Sequence, residues 1–244
     1  MLMERPLVNP AKFELIAPLA ALALLTSACV ISTENRAPLE TSAQSVDLKG
    51  AKSVDVHVDM GAGELIMQGG AADLMDADFR YRSSHGRPDV QYDVDGTRGT
   101  LTVKQPSQHS IGNDKNTWDL RLNQDVPLDV RVNLGAGEGR LKLGNTNLHS
   151  LDVEVGAGEM NVDLTGHPHG DIDVRIRGGV GEANVRLPRQ ARLDVEAHGG
   201  IGQITTHGLT KRGDRWVNEP DQQTDATIHV SVNGGIGQIN VTCE

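Results

Sequence analysis

Four glutamates recur at one position of a short Gly-x-Gly-Glu motif, and their spacing is the strongest hint of chemistry in the chain. They are Glu64, Glu138, Glu159 and Glu182, and two later copies of the motif carry Gln203 and Gln238 there. A stacked column of carboxylates could bind a hard cation such as Ca²⁺ through oxygen ligands. Calcium loops, however, usually supply several different oxygen ligands within one short span. We therefore favour the alternative that each carboxylate accepts hydrogen bonds from backbone N–H groups of the adjacent glycine turn, and we predict no metal site.

The remaining reactive side chains do not form a recognisable catalytic or cofactor site. His167 and His169 share the sequence Gly-His-Pro-His-Gly, but no third and fourth ligand completes a zinc or copper site. The Gly-x-Gly motifs are not phosphate-binding loops, because no helix follows them and no Lys-Ser/Thr pair is present. No serine has a nucleophile-elbow context, and no Cys/His or paired-carboxylate arrangement stands apart from the repeats. The sequence thus predicts no catalytic residue, no cofactor and no small-molecule substrate.

The elements that position these residues are six copies of a Gly-x-Gly frame. The paired glycines are Gly61 and Gly63, Gly135 and Gly137, Gly156 and Gly158, Gly179 and Gly181, Gly200 and Gly202, and Gly235 and Gly237. In four consecutive copies the first glycines, from Gly135 to Gly200, recur every 21 to 23 residues. A period of this length is typical of a solenoid built from stacked coils.

Apolar residues alternate strictly on both sides of each frame. Leu151, Val153 and Val155 precede one frame, and Met160, Val162 and Leu164 follow it. Such alternation predicts two short strands per copy, each with one buried face. Glycine at both ends of the turn permits positive φ and close stacking of one coil upon the next. Because equivalent strands should pair in parallel, we predict an all-β fold, a parallel β-solenoid of about six two-stranded coils with Gly-x-Gly turns.

Outward charges in the repeats predict how the coils are aligned. In the segment before the glycines, the residues after Asp-Val are Arg131, Glu154, Arg175 and Glu196, which alternate in sign. In the segment after the glycines, Lys142, Asp163 and Arg186 alternate as well. Opposite charges on neighbouring strands are favourable and like charges are not. Both series are therefore predicted to form columns of opposite charges.

The N-terminal 28 residues have the organisation of a signal peptide. Arg5 and Lys12 precede an apolar run from Leu15 to Leu25, which is shorter than the roughly 20 residues that cross a bilayer, so a permanent membrane helix is the weaker alternative. The segment Leu25-Thr26-Ser27-Ala28-Cys29 resembles the bacterial lipobox, which implies acylation of Cys29 and a membrane anchor. Cys243 is then predicted to be a small buried residue; without acylation, a disulfide between the two cysteines is the other possibility.

Four segments are predicted along the chain. They are the signal peptide (1–28), the lipidated cysteine and a polar tether (29–52), an N-terminal module with a strand insertion (53–127) and the C-terminal β-solenoid repeats (128–244). Within the insertion, strands are predicted at Met75–Tyr81, Val90–Val94 and Leu101–Val103. A second excursion, residues 207–223, precedes the last copy. Trp118 and Trp216 lie in or beside these excursions and are predicted to be packing anchors.

Composition limits the classes of partner. The formal net charge is -10, and the chain has no cluster of Lys and Arg. It therefore lacks the positive surface that a phosphate backbone requires, which excludes nucleic acid as a partner. Aromatic residues make up only 2% while glycine numbers 28, a balance that suits thin stacked layers better than a bulky globular core.

One long stretch resembles a known family. The GAGE motif at Gly61, the run LIMQGG to VKQP that follows it and the later GAGE, GVGE and GIGQ copies are similar to the bacterial toastrack family. The resemblance covers most of residues 53–243. It implies an all-β fold and a location in the cell envelope, since related domains occur in LiaF-type envelope-stress proteins and in adhesin-like proteins. It implies no reaction, because the family offers no catalytic residues to carry over.

The function predicted from these observations is that of a non-enzymatic cell-envelope lipoprotein. It would be exported, anchored on the extracytoplasmic side through Cys29, and would act as a binding, scaffolding or adhesin-like module. Its partners would be the membrane, through the lipid, and an unidentified envelope protein or polymer. The alternative is an accessory or sensory component of envelope-stress regulation, as the LiaF-type resemblance implies. A cell-wall hydrolase is the least favoured class, because no acid/base pair is identifiable.

Overall fold

The computed structural model describes residues 38–106, 116–220 and 224–244, and all of the strands in these ranges belong to one β-sheet. The strands are β1 Leu39–Val46, β2 Ser53–Ala71, β3 Met75–Arg82, β4 Asp89–Asp95, β5 Arg98–Lys104, β6 Thr117–Asn123, β7 Leu128–Lys142, β8 Leu148–Asp163, β9 Ile172–Leu187, β10 Arg192–His207, β11 Thr210–Arg212, β12 Arg215–Val217 and β13 Thr227–Cys243. A 3-10 turn spans Ser83–His85. Within these ranges, no helix has the length and hydropathy needed to cross a membrane. The predicted signal peptide and Cys29 lie outside the described residues.

Each Gly-x-Gly frame lies within one long strand that turns a corner at the glycines. In β7 the buried side chains before and after the frame include Leu134 and Leu141. These residues are an odd number of positions apart, so a straight strand would point them to opposite faces. Both are buried because the strand bends between them. Each coil therefore has a first leg before the glycines and a second leg after them. The two legs are the two predicted strand segments, joined in one bent strand.

The bent strands stack in parallel with glycine on glycine, which confirms the parallel all-β fold class. The second glycines pair in the order Gly63, Gly137, Gly158, Gly181, Gly237 and Gly202. The spatial order of the bent strands is β2, β7, β8, β9, β13 and β10, so β13, the last strand of the chain, lies between β9 and β10. Copies that follow one another in the sequence are therefore not always neighbours in the stack.

The region predicted as an insertion continues the stack beyond β2. Strand β5 pairs in parallel with the first leg of β2, and β6 pairs in parallel with its second leg. Strand β4 then flanks β5, while β3 and β1 continue outward from β6. The three strands predicted in this region, at Met75–Tyr81, Val90–Val94 and Leu101–Val103, are confirmed as β3, β4 and β5.

A strand is present before residue 53, where the N-terminal module was predicted to begin. Strand β1 pairs antiparallel with β3 from Leu39 opposite Arg82 to Val46 opposite Met75. Residues 39–46 are therefore part of the sheet and not of the tether predicted over 29–52. The sequence of β1 shows no alternation of apolar and polar residues, because its half-buried positions include Ser42 and Gln44. The remaining segment boundaries stay predictions.

One continuous apolar core fills the space between the two layers of legs. Trp118 is completely buried and meets Phe79 edge to face, with ring centroids 5.5 Å apart, so the prediction that it is a packing anchor is confirmed. Its indole Nε1 donates a hydrogen bond of 3.0 Å to Oδ1 of Asn116. Trp216 is half-buried and lies under the ammonium group of Lys211, 5.0 Å from the ring centroid. Cys243 is buried at the end of β13, as predicted.

One of the two predicted charge columns is present and the other is wrong. In the second legs, Lys142 pairs with Asp163 and Asp163 with Arg186, whose guanidinium lies 2.8 Å from the carboxylate. In the first legs, Glu154 lies opposite Asn133 and Arg177, not opposite the predicted arginines. The Asp-Val motif begins six residues before the glycine in β7 but only four before it in β8. Because the glycines of neighbouring coils lie in register, the Asp-Val motifs of β7 and β8 are offset from one another by two residues.

Candidate functional site

A glycine column forms the corner of the coil stack, and it contains every glycine that the sequence analysis singled out. The second glycine of each frame has positive φ, from 131° at Gly137 to 148° at Gly202. A Cβ added at Gly137 would overlap the carbonyl oxygen of Gly63 in the neighbouring coil, and the same collision recurs along the column. Side chains are thereby excluded, and the backbones of neighbouring coils approach closely. The column aligns the outward residues on both legs into continuous rows.

The predicted row of carboxylates is present on the second-leg side of the corner. Its order is Glu64, Glu138, Glu159, Glu182, Gln238 and Gln203. The carboxylates are partnered by side chains, which corrects the expectation that backbone N–H groups of the glycine turns would serve them. Arg140 forms ion pairs with Glu64 and, at 2.6 Å, with Glu138. The hydrogen bond with Glu64 raises the pKa of Arg140 above its ordinary value.

Asparagines serve the other glutamates of this row. Asn161 Nδ2 donates to Glu159 at 2.9 Å. Asn240 Nδ2 donates to Glu182 at 2.9 Å and to the Oδ1 of Asn184 at 2.8 Å. The donors form a second row two residues beyond the carboxylates, because side chains two apart on a strand share a face. The row of carboxylates is thus held in place by one guanidinium and a ladder of amides.

Metal-binding geometry is missing from the described part of the chain. No group of three or more His, Cys, Asp or Glu residues in residues 38–106, 116–220 and 224–244 is arranged to hold a metal ion. His167 and His169 are exposed in the loop between β8 and β9. The carboxylate row therefore consists of hydrogen-bond acceptors with identified side-chain donors.

An open groove of about 850 Å³ follows the first-leg side of the glycine column, and we call it the corner groove. Polar side chains form its wall and glycines form its floor, and the lining residues are Asp59, Met60, Gly61, Asn133, Leu134, Gly135, Glu154, Val155, Gly156, Arg177, Gly178 and Gly179, with Gln105 and Pro106 at one end. Because the floor has no side chains, a bound chain could come close to the backbone of the coils. The corner groove is a concave surface that several hydrogen-bonding groups line.

The polar wall of the corner groove is organised before any ligand binds. Asn133 Nδ2 donates to Asp59 Oδ1 at 2.5 Å. The Arg177 guanidinium contacts Glu154 at 2.5 Å and Asp152 at 3.0 Å. The side chains of Arg177 and Glu154 remain 49% and 54% exposed, so both can also meet a partner. The wall offers amides, carboxylates and one guanidinium, which suit hydrogen bonding to a polar chain and include no nucleophile paired with a base.

Two residues at the β5–β6 end of the corner, Gln105 and Asn116, are not marked by any repeat in the sequence. Gln105 Oε1 accepts a 2.9 Å hydrogen bond from the backbone N–H of Gly61. Asn116 is 3% exposed, and its Nδ2 donates a hydrogen bond of 2.9 Å to the backbone carbonyl of Ala62. The backbone carbonyl of Asn116 accepts a hydrogen bond of 2.8 Å from the N–H of Glu64. These groups complete a corner that has no Gly-x-Gly frame. In the sequence, Gln105 and Asn116 are marked only as amide residues next to predicted strands, and many loop residues have that property.

The middle residue of each frame forms an apolar row along the outside of the corner. In spatial order the row is Ala62, Ala136, Ala157, Val180, Ile236 and Ile201. The side chains grow larger toward the β10 end, where Val180 is 54%, Ile236 52% and Ile201 72% exposed. At the same end, glycine replaces the inward residue just before the frame, as at Gly178, and a cavity of about 40 Å³ lies beneath the row.

Comparison with known proteins places this architecture in context. Residues 35–186 match the family described as the N-terminal domain of toast_rack, DUF2154. None of the curated proteins matches the chain. The crystal structure of a "putative cell adhesion protein" from Clostridium sporogenes ATCC 15579 shares 28% identity over 85% of this chain and 100% of its own, with a TM-score of 0.79. A "putative adhesin" from Bacteroides fragilis NCTC 9343 has 11% identity and a TM-score of 0.31 over 84% of this chain and 97% of its own.

Proposed function

The chain belongs to the toast_rack family, and from that premise we propose that it is a non-enzymatic binding module of the bacterial cell envelope. It would be exported, anchored on the extracytoplasmic side by a lipid on Cys29, and would bind an envelope protein or polymer through the polar rows of its coil stack. The Clostridium sporogenes structure supports this proposal, because it shares the fold over its whole length and carries a cell-adhesion name.

The observation that carries the proposal is the corner groove. Its wall presents Asp59, Asn133, Glu154 and Arg177 at one strand spacing from one another over a floor of backbone. Partly exposed donors and acceptors at a regular repeat match an extended polar chain better than a compact small molecule, since each coil offers an equivalent contact. Binding of this kind needs no reacting group, which agrees with the chemistry of the groove wall.

The lipid anchor is the second part of the proposal. It rests on the lipobox-like segment ending at Cys29, which precedes the first described strand by only a short stretch of chain. Two or three acyl chains would hold the module stably at a membrane, whereas one chain binds only marginally.

Binding can be tested with the Cys29→Ala chain purified in soluble form and applied to cell-wall and membrane fractions of the host. Arg177→Glu reverses the charge of the groove wall, and we expect it to weaken binding at least about tenfold, since it removes a contact and repels acidic groups. Arg212→Glu is the matched control, because Arg212 lies in the β11–β12 hairpin outside the groove. Equal binding by the two folded variants would exclude the groove as the binding surface, and a lack of any binding would overturn the proposal.

The alternative function is an accessory or sensory role in envelope-stress regulation. It rests on the family resemblance and on no particular residue of the structure. A stress-responsive reporter in strains with and without the gene tests it: an altered response favours the sensory role, and an unchanged response removes it.

A further inference from the structure

Strand β10 ends the coil stack, and only part of its outer edge is covered. On its inner side β10 pairs with β13 from Arg192 to His207. On its outer side, β12 pairs only with Asp194 and Val195 in the first leg. Among the strands that the structure describes, none pairs with the outer side of the second leg, residues 202–207. Alternate N–H and C=O groups of that leg therefore face outward, as a template for another strand.

This open edge has no acidic or basic side chain other than histidine, although the chain as a whole is acidic. Residues 197–210 contain no Asp, Glu, Lys or Arg, and neither do residues 226–243 on the neighbouring strand β13. Glutamine stands at Gln203 and Gln238 where the earlier coils carry glutamate. The exposed apolar side chains of Val180, Ile236 and Ile201 lie beside it in register.

The edges at the opposite end of the stack are different. Strand β4 presents Asp89, Asp93 and Asp95, and β1 carries Glu40. Charged side chains on edge strands are a usual protection against unwanted pairing. The first leg of β10 is also protected, because Arg215 of the hairpin forms ion pairs with Asp194 and, at 2.5 Å, with Glu196. The second leg of β10 has no such protection.

We propose that the second leg of β10 docks against the same leg of a second copy of this chain. A two-fold axis would pair the two legs antiparallel, so that each copy completes the open edge of the other. Two chains that each carry a net charge of -10 repel one another, and contact through an uncharged strand avoids placing like charges face to face. The row Val180, Ile236 and Ile201 would lie next to the joint and shield it from water.

This pairing places the other ends of the two stacks far apart. In the order in which the strands are joined, β1 lies at one end, and at the other end only the short β11–β12 hairpin follows β10. Strand β1 of one copy and strand β1 of the other would thus lie at opposite ends of the dimer. The inference rests on the fold and on the edge alone, so it stands or falls independently of the lipid anchor and of the corner groove.

Sedimentation equilibrium of the full-length Cys29→Ala chain over a wide range of concentration tests the proposal. We expect a monomer–dimer equilibrium for this chain. Gln203→Lys and Ile201→Lys, each added to it, should raise the dissociation constant at least about tenfold, because each places a like charge at the joint. Gln91→Lys on the opposite edge, in β4, is the matched control and should leave the constant unchanged. Thermal unfolding of each variant confirms that it is folded.

The outcomes separate cleanly. A chain that stays monomeric at every concentration overturns the proposal, as does dimerisation that survives both lysine variants. A dimer weakened equally by Gln91→Lys would place the contact elsewhere and overturn it too. Binding of envelope fractions by a strictly monomeric chain would leave the proposed function standing while this inference fails.

Discussion

The carbonyl oxygen of Gly158 lies where a Cβ on Gly181 would have to stand. The two glycines are register partners on β8 and β9, and the same relationship links the second glycines of every neighbouring pair of coils. Because only glycine allows this approach, the column fixes how far apart the coils lie and which residues face one another. The glycine column therefore also sets the alignment of the residues in the corner groove and in the carboxylate row.

Substituting alanine within one coil should separate this steric role from ordinary glycine flexibility. Gly181→Ala adds a Cβ that meets backbone and requires a positive φ, so we expect it to lower the free energy of unfolding by at least about 2 kcal/mol. Gly178→Ala, three residues earlier, meets no atom within 4 Å and should be neutral or stabilise by up to about 1 kcal/mol. Urea unfolding measures both. Similar losses at the two sites would refute the steric account.

A double-mutant cycle can verify the register of the first legs. Glu154 and Arg177 are in contact at 2.5 Å, whereas the Asp-Val motif alone would have placed Glu154 against Arg131. Both members of the observed pair are about half exposed, so we expect a coupling energy of about 0.2 to 1 kcal/mol. The cycle between Glu154 and Arg131 should give a value near zero. Urea unfolding of the single and double alanine variants supplies the numbers, and the reverse ranking would contradict the glycine-aligned register.

Stability at low pH should depend on Asp55. The two hydrogen bonds from Arg98, each 2.5 Å, hold the pKa of the Asp55 carboxyl below its ordinary value. The folded chain therefore binds this proton less readily than the unfolded chain does. The resulting stabilisation is complete above the ordinary carboxyl pKa of 3.8 and is lost as the pH falls through the lowered value.

Arg98→Gln tests this dependence. The difference in the free energy of unfolding between wild type and variant should be largest near neutral pH and should shrink below about pH 4. Urea unfolding at a series of pH values measures it. A difference that stays constant down to the lowest pH would show that Arg98 acts without the ionised carboxylate.

Removal of the last strand, β13, should destabilise the β9 and β10 region, although β13 lies at the end of the sequence. Strand β13 pairs with β9 on one side and β10 on the other, and it buries Ile228, Val230 and Val241. A chain that stops after Asp225 should lose cooperative unfolding of the β9 and β10 region, which hydrogen exchange would detect. Removing Glu244 alone is the control and should cost only its ion pair with Arg186 and its two backbone hydrogen bonds, to Leu187 and Arg189. A shortened chain with native exchange in β9 would contradict the strand order.

The sequence predicts the repeated strands well because their signals are local. Alternation around each Gly-x-Gly frame specifies the two buried faces, as with Leu134 and Leu141, and the steric need for glycine at the corner specifies the parallel stack. The order of the stack is not a local property. Ile236 can pair equally well with Val180 and with Ile201, so nothing in the motif shows that β13 enters between β9 and β10.

The candidate site is predicted less completely for related reasons. The carboxylate row follows from the frames, but its donors Arg140, Asn161 and Asn240 are ordinary outward residues until the register is known. Gln105 and Asn116 complete a corner formed by two strands that are separate in sequence, and no repeat marks them. Strand β1 was missed because polar residues occupy its half-buried positions.

The most direct test of the central claim, an envelope module held by a lipid on Cys29, is the intact mass and membrane partitioning of the chain expressed in a bacterium. Wild type should gain the mass of a lipid and fractionate with membranes. Cys29→Ala should be unmodified and soluble, while the control Cys243→Ala should behave as wild type, because that cysteine is buried in β13. A wild-type chain that is unmodified and soluble would contradict the anchored account and make a disulfide between Cys29 and Cys243 the next possibility to examine.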